Sequence, residues 1–157
     1  MKIDQESSNF ENLMQYIITE SVKLKNKCAK EVDVKVEFGD IFCQSDEEYK
    51  ELVGEIKNLG ENVYSTKTGD IYRLDKPLKT IAGDLYFVKA RVADGTLKQR
   101  GDADFDTDYL PFKEKYLHNP HFELVIKEEF EMLRLSDPDF DVMTCFSNIP
   151  VRTWTKK

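Results

Sequence analysis

Residues 100–108 read RGDADFDTD, in which acidic residues alternate with small or apolar ones. Strict alternation is typical of a β-strand with one face in the protein core and the other face outward. Ala103 and Phe105 would then point into a layer of helices. The opposite face would carry an acidic set that consists of Asp102, Asp104 and Asp106. This set is compatible with a solvated strand face, with half of a charge-paired cleft, or with a carboxylate site for Mg²⁺ or Ca²⁺.

A strand of the same alternating type occurs earlier, where residues 32–38 read VDVKVEF. Its valines and its phenylalanine are expected to face the helix layer, and Gly39 and Asp40 are expected to bend the strand. A capping box at residues 45–48, SDEE, then begins a helix. Three further strands are predicted at residues 62–66, 70–74 and 85–92.

The order of one strand, one helix and three strands is then repeated. After the acidic strand, Asp108 can cap a helix that has Pro111 in its first turn. A turn at residues 136–139, SDPD, precedes the last strand. The last three strands are predicted at residues 122–126, 130–135 and 142–146. The repetition predicts an α+β fold built from tandem βαβββ units at 32–92 and 102–147.

Short segments lie outside the repeat. Residues 8–30 are expected to form an extra N-terminal helix, which begins with a capping box at residues 8–11, SNFE. Its apolar stripe consists of Phe10, Leu13, Met14, Ile17 and Ile18. Residues 148–157 form a C-terminal tail. A chain of 157 residues is predicted to be a single domain.

Composition excludes several classes of function. The net charge of −7 and the pI near 5.0 argue against a nucleic-acid or anionic-membrane partner. Three cysteines that lie far apart predict neither a disulfide framework nor a zinc knuckle. The N-terminus carries no secretion signal and no apolar run reaches membrane-spanning length, so a cytoplasmic location is expected.

The tandem βαβββ order resembles the vicinal oxygen chelate superfamily, which includes glyoxalases, bleomycin-resistance proteins and extradiol dioxygenases. Residues 135–142, LSDPDFDV, look like the turn before the last strand of that superfamily. Residues 68–77 and 85–89 look like the middle of bacterial glyoxalase-like proteins of unassigned function. The resemblance covers residues 32 to about 150. It implies a curled mixed sheet around a cleft, and a divalent metal held by side chains of the first and last strands of each unit.

Alternation predicts which side chains would line such a cleft. Leu85, Phe87, Lys89 and Arg91 share one face, which is expected to be the cleft face because charges do not suit a helix layer. Lys89 then lies near the position of the superfamily's metal-binding glutamate. The last strand would place Met143 or Thr144 at the equivalent position. The expected ligand-binding residues are Asp33, Lys35, Glu37, Lys89, Arg91, Asp102, Asp104 and Asp106.

The sequence departs from the metal-binding pattern of that superfamily. His118 and His121, its two histidines, lie beyond a helix end and away from any expected ligand position. An ammonium group of Lys89 beside Asp104 would supply the charge that a metal otherwise gives. We therefore expect no cofactor and a metal-independent cleft for a small polar or aromatic ligand. Two alternatives stay open: a metal-dependent lyase or dioxygenase that uses Asp104 and Glu37, and a structural homodimer.

Overall fold

The structure, a computed structural model, describes residues 9–155. Four helices and eight strands follow one another in this part of the chain. Their bounds are α1 Asn9–Cys28, β1 Lys35–Phe42, α2 Asp46–Lys57, β2 Gly60–Thr66, β3 Gly69–Thr80, β4 Gly83–Arg91, β5 Gly101–Asp106, α3 Tyr109–Tyr116, β6 Phe122–Ile126, β7 Glu131–Leu135, β8 Val142–Ser147 and α4 Val151–Trp154. The predicted α+β class and the repeated βαβββ order are confirmed.

The strands form one mixed sheet with the order β2-β3-β4-β1-β5-β8-β7-β6. Within each unit the first strand runs parallel to the last, so β1 pairs with β4 and β5 pairs with β8. The two units join where β1 and β5 pair in antiparallel fashion. The first and last strands of both units therefore lie together in the middle of the sheet.

The helices α1, α2 and α3 pack on one face of this sheet. Phe10, Met14, Ile17 and Ile18 of α1 are completely buried in the main core. The Oγ atom of Ser21 donates to the carbonyl oxygen of Met143 over 3.4 Å, which places α1 across the central strands. The extra N-terminal helix therefore covers the face opposite the cleft. The capping residue expected for it, Ser8, lies outside the described residues.

Two capping predictions have different outcomes. The Oγ atom of Ser45 accepts a hydrogen bond from the amide of Glu48 over 3.1 Å, and the Glu48 carboxylate accepts from the amide of Gln44 over 2.9 Å. The first bond satisfies a free amide in the first turn of α2, and the second ties that turn to the residue before the cap. Asp108 precedes α3 without a side-chain capping bond. Within residues 9–155, no helix combines the length and the apolar character needed to cross a membrane.

A β-bulge changes the direction of the side chains in β1. Val36 pairs with Phe105, but Phe38 pairs with Asp104, so the register shifts between Val36 and Phe38. A bulge adds one residue to one strand and alters the alternation beyond it. Phe38 therefore faces the cleft, and the expectation that it faces the helices is wrong. Gly39 and Asp40 continue the strand rather than end it.

A second irregularity lies between β3 and β4, where the register shifts between the Arg73 and Leu78 pairs. Leu85 belongs to the core beneath the helices and is completely buried. Phe87 instead packs with Phe38 and Ile71 on the other face. The irregularity inverts the alternation of side chains in β4 after Leu85. Of the four residues predicted for the cleft face of β4, Phe87, Lys89 and Arg91 therefore lie on that face, and the prediction for Leu85 is wrong.

Candidate functional site

The sheet face opposite the helices forms the wall of a cleft with a volume of about 740 Å³. Both units contribute to it. Apolar side chains supply much of the lining, namely Phe38, Phe42, Ile71, Met132, Met143 and Val151. Charged side chains of the central strands lie among them, namely Asp40, Lys89, Arg91, Asp102, Asp104 and Arg134. The size and the mixed lining are typical of a small-molecule site.

Four of these residues form one row across the four central strands. Asp40 of β1 pairs with Lys89 of β4 on one side and with Asp102 of β5 on the other. Asp102 pairs in turn with Met143 of β8. Met143 lines the cleft, whereas Thr144 is completely buried on the helix side, where its hydroxyl donates to Ser21. The structure thus decides between the two residues that the sequence left open.

A second row lies beside the first. Phe38 pairs with Phe87 on one side and with Asp104 on the other, and Asp104 pairs with Cys145 of β8. The Cys145 thiol donates weakly to Oδ2 of Asp102 over 3.7 Å. The acids of the two rows therefore lie close together, between aromatic rings of the first unit and sulfur-containing side chains of the second.

Lys89 does not pair with the acid that the sequence analysis assigned to it. Its Nζ atom donates to Oγ1 of Thr68 over 2.5 Å. Among the ion pairs of residues 9–155, none joins Lys89 to Asp104. The reason is the register: Lys89 lies opposite Asp40, whereas Asp104 lies in the neighbouring row and one strand farther away.

Several polar atoms of the cleft lack partners. In the described part of the chain, four buried side-chain atoms make no hydrogen bond, and they are Asp40 Oδ1, Asp102 Oδ1, Arg91 Nε and Arg134 Nε. All four residues line the cleft. Buried polar groups in folded proteins are nearly always hydrogen-bonded, so an unpartnered set of two acceptors and two donors in one cavity requires an explanation.

The electrostatic environment favours protonated acids. Burial raises the pKa of Asp40 well above its ordinary value, and repulsion by Asp102 adds to the effect, although Lys89 and Arg91 oppose it. Burial also raises the pKa of Asp102 to about 6, against the attraction of Arg134, Lys89 and Arg91. The cluster can therefore hold or release protons near neutral pH.

Asp104 and Glu37 extend this acidic environment. Removal from water raises the pKa of Asp104 well above its ordinary value, and repulsion from Asp102, Glu37 and Asp40 raises it further. Burial also raises the pKa of Glu37. Its Oε1 atom accepts from the amide of Arg152 over 2.8 Å, at the start of α4. Glu37 thus fixes the terminal helix against the sheet, and Val151 of that helix packs with Phe38.

The structure distributes the eight expected ligand-binding residues unevenly. The cleft wall contains four of them, namely Lys89, Arg91, Asp102 and Asp104. Two others, Glu37 and Asp106, bind Arg152 beside the cleft, with 2.7 Å between Arg152 Nη1 and Asp106 Oδ2. Ligand binding by any of these residues stays a prediction.

Asp33 and Lys35 require a correction, because both are exposed and neither lines the cleft. Asp33 precedes β1 and acts electrostatically on Lys25 near the end of α1. Lys35 is the first residue of β1, opposite Asp106. The strand begins only at Lys35, so both residues lie at or before its exposed end, away from the central strands that form the cleft.

Sequence reasoning missed Asp40 and Arg134. Asp40 was assigned to a bend, but a strand that continues beyond the bulge carries it into the cleft. The stretch IFC after it was the available signal, since an apolar run of this kind extends a buried strand. Arg134 belongs to β7 and lies opposite Cys145 of β8. No local pattern marks it, because its role depends on the pairing of β7 with β8.

The metal that the resemblance implies can be tested against the central row. Asp40 and Asp102 carry oxygen ligands that suit a hard divalent cation. Lys89 offers an ammonium group and Met143 a thioether, and neither fits such an ion. The row as a whole therefore does not fit the metal site of that superfamily. A different set does bring ligand atoms together, since one atom each of Asp102, Asp104 and Cys145 lie within 4.8 Å of one another.

Comparisons with known proteins add evidence on the fold. No family model matches the sequence, and no curated protein matches it. A solved structure named "Structural Genomics, Protein EC4020" superposes with a TM-score of 0.66 at 8% identity, over 94% of this chain and 95% of that one. A glyoxalase/bleomycin resistance protein/dioxygenase superfamily member from Vibrio splendidus 12B01 has a TM-score of 0.46 at 13% identity, over 73% of this chain and 97% of that one.

The identity to EC4020 is low, so that likeness concerns the fold alone. The order of elements and the sheet topology of this chain supply the remaining evidence. With two βαβββ units joined through β1 and β5, the chain has the tandem βαβββ architecture that the sequence predicts, and it shares its overall fold with EC4020.

Proposed function

We propose that the cleft binds a small polar molecule without a metal, and that this molecule carries both a hydrogen-bond donor or cationic group and an acceptor or anionic group. The unpartnered atoms of the cleft carry the proposal. One carboxyl oxygen each of Asp40 and Asp102 lacks a donor, and the Nε atom of both Arg91 and Arg134 lacks an acceptor. A small zwitterion in the cleft would offer a partner to both pairs of residues.

The apolar lining supports a ligand with an organic body. Phe38, Phe42 and Ile71 lie on the side of the first unit, and Met132 and Met143 lie on the side of the second. Methionine side chains adapt to irregular shapes, and aromatic rings provide large apolar contacts. Such a lining favours a molecule with carbon skeleton between its two polar ends over a bare inorganic ion.

Proton release gives the proposal a specific signature. The raised pKa of Asp40 favours its protonated carboxyl group, whereas Asp102, with a pKa of about 6, is mostly ionised at pH 7 and becomes protonated as the pH falls below that value. A cationic group placed beside these acids favours their charged form and lowers their pKa. Binding of a zwitterion or an amine should therefore release protons, whereas binding of a purely anionic molecule should take protons up or leave them unchanged.

A thermal-melting screen tests the proposal. Purified protein is treated with a chelator and melted with amines, carboxylates and small zwitterions, and hits are titrated calorimetrically in two buffers of different ionisation enthalpy. The zwitterions should raise the melting temperature and release protons, and Asp40→Asn should weaken the effect at least tenfold. Asp75→Asn, an exposed acid outside the cleft, is the matched control. Stabilisation by carboxylates alone, or equal binding by Asp40→Asn, would contradict the proposal.

A metal-dependent activity is the second candidate, and the proximity of Asp102, Asp104 and Cys145 favours it. Carboxylates with a thiolate suit a borderline divalent ion better than Mg²⁺ or Ca²⁺. The test is thermal melting with Mn²⁺, Zn²⁺, Mg²⁺ and Ca²⁺. A shift at micromolar metal that disappears in Asp104→Ala would replace the metal-free proposal with this one.

A further inference from the structure

A second group of metal-ligating side chains lies outside the cleft. It consists of Cys28, His121 and Asp137, which we call the outer cluster. One ligand atom from each of these residues lies within 4.8 Å of the other two. Cys28 ends α1, His121 directly precedes β6, and Asp137 lies between β7 and β8. Three separate segments of the chain therefore bring a thiol, an imidazole and a carboxylate to one place.

From this geometry we propose that the outer cluster is a binding site for a divalent ion of the zinc class. Sulfur, imidazole nitrogen and carboxylate oxygen are the ligands that zinc takes in proteins, with the fourth position open to water. Nδ1 of His121 lies 3.7 Å from Oδ2 of Asp137, a separation that suits two ligands of one tetrahedral ion. His121 is exposed, so the ion has a route from solvent.

The surroundings of Asp137 prepare it for this role. Its side chain is only 3% exposed. One oxygen, Oδ1, accepts from the amide of Asp139 over 2.8 Å and so fixes the orientation of the carboxylate. The other oxygen, Oδ2, pairs with Nζ of Lys27 over 2.9 Å. Lys27 also lies 3.3 Å from the exposed Asp139, so it can keep that partner when an ion takes Oδ2.

A Cys–His–Asp catalytic triad would use the same residue types, but the geometry disfavours it. In a triad the carboxylate orients the imidazole through a direct hydrogen bond. Here the 3.7 Å between Asp137 and His121 is too long for such a bond, and Lys27 holds the same oxygen more closely. The Asp137 carboxylate is therefore paired with the Lys27 ammonium group and does not orient the imidazole of His121.

The site would join the N-terminal helix to the second unit. Cys28 belongs to α1, whereas His121 and Asp137 belong to the second βαβββ repeat. Ion binding would release the thiol proton to solvent and connect the end of the helix to the loops before β6 and β8. The outer cluster shares no residue with the cleft, so this inference does not depend on the proposed ligand.

Cobalt titration of the full chain tests the site. Reduced, metal-free protein is titrated with Co²⁺, which gives a thiolate-to-cobalt absorption band when a cysteine is a ligand. We expect one equivalent to bind with this band, no band in Cys28→Ser, and at least tenfold weaker binding in His121→Gln. His121 is exposed, so its replacement leaves the fold intact, and circular dichroism verifies this for each variant.

Two matched variants distinguish the outer cluster from the cleft. His118→Gln changes the other exposed histidine, and Cys145→Ser removes the thiol beside Asp102 and Asp104. Both variants should keep the band and the affinity of the unmodified protein. Loss of the band in Cys145→Ser, its persistence in Cys28→Ser, or absence of any band in the unmodified protein would each overturn the proposal.

Discussion

Asp40 and Asp102 are directly opposed across the antiparallel pair β1–β5, and each has a carboxyl oxygen without a hydrogen-bond partner. Two acids in this position repel each other and are only partly compensated by Lys89. Such an arrangement costs stability unless a ligand or protons neutralise it. The centre of the sheet therefore carries buried acids that lower the stability of the fold. Buried acids with shifted pKa values are typical of functional sites.

Neutralising one acid should stabilise the protein. At pH 7, Asp102→Asn removes a buried charge whose pKa is raised to about 6. The free energy of unfolding should rise by roughly 1–3 kcal/mol, as measured by urea denaturation. Asp75→Asn, which changes an exposed acid, should have an effect of less than about 0.5 kcal/mol. An Asp102→Asn protein that is no more stable than the unmodified protein would show that the acid is not charged and buried.

The stabilisation should depend on pH with a defined sign. Because the pKa of Asp102 is higher in the folded state than the ordinary value of 3.8, the folded state binds more protons between the two values. The stability due to this group is complete below the ordinary pKa and is lost as pH rises through about 6. The advantage of Asp102→Asn should therefore be small near pH 4 and reach its maximum by about pH 7. Urea denaturation over this range measures it, and a constant difference would contradict the assignment.

Lys89 should stabilise the acids through the electric field rather than through a direct bond. Its Nζ atom donates to Thr68, yet it lowers the pKa of both Asp40 and Asp102. Lys89→Met should lower the free energy of unfolding at pH 7 by about 1–3 kcal/mol, and by less at pH 5.

A double-mutant cycle isolates the electrostatic part of this effect. In an Asp40→Asn background, Lys89→Met should cost clearly less, since one of the charges that Lys89 compensates is absent. Equal costs in both backgrounds would mean that the lysine acts only through packing and through Thr68.

Two glycines should respond oppositely to alanine. A Cβ atom at Gly101 would collide with the carbonyl oxygen of Asp40 and lie 2.6 Å from Cδ1 of Ile17. Gly101→Ala should therefore cost about 3 kcal/mol or more, because α1 packs closely on β5. At Gly54, an exposed position of α2, nothing lies within 4 Å of the added atom. Gly54→Ala should stabilise the protein by about 0.5–1 kcal/mol. Denaturation of both variants checks the pair, and a harmless Gly101→Ala would contradict the close packing of α1.

Local patterns predicted the fold because each element carries its own signal. Ala103 and Phe105 enter the core beneath the helices, as the alternation of RGDADFDTD requires. The bond from the Glu48 amide to Ser45 begins α2 where the capping box indicated. A period of two in strands and a cap at a helix start depend on neighbours in the chain, so they can be read without tertiary information.

The candidate site could be predicted only in part. The alternation of the acidic strand predicted that Asp102 and Asp104 share the cleft face. The charged residues of β4 likewise predicted Lys89 and Arg91 as cleft residues, and all four line the cleft. Leu85 and Phe38 were assigned to the wrong faces, since irregularities in two strand pairs invert the alternation after them. A bulge is a property of two paired strands, and the alternation within one strand does not reveal it.

The sequence by itself determined two βαβββ units, an added helix and an acidic strand, because hydrophobic period and turn chemistry are local. Only the tertiary structure placed Asp40 opposite Asp102 and directed the hydrogen bond of Lys89 to Thr68 instead of Asp104. It also brought Cys28 close to His121 and Asp137. These relationships join residues that lie far apart in the chain. They depend on strand register and on how α1 packs across the sheet, and both are decided by the simultaneous burial of all the elements.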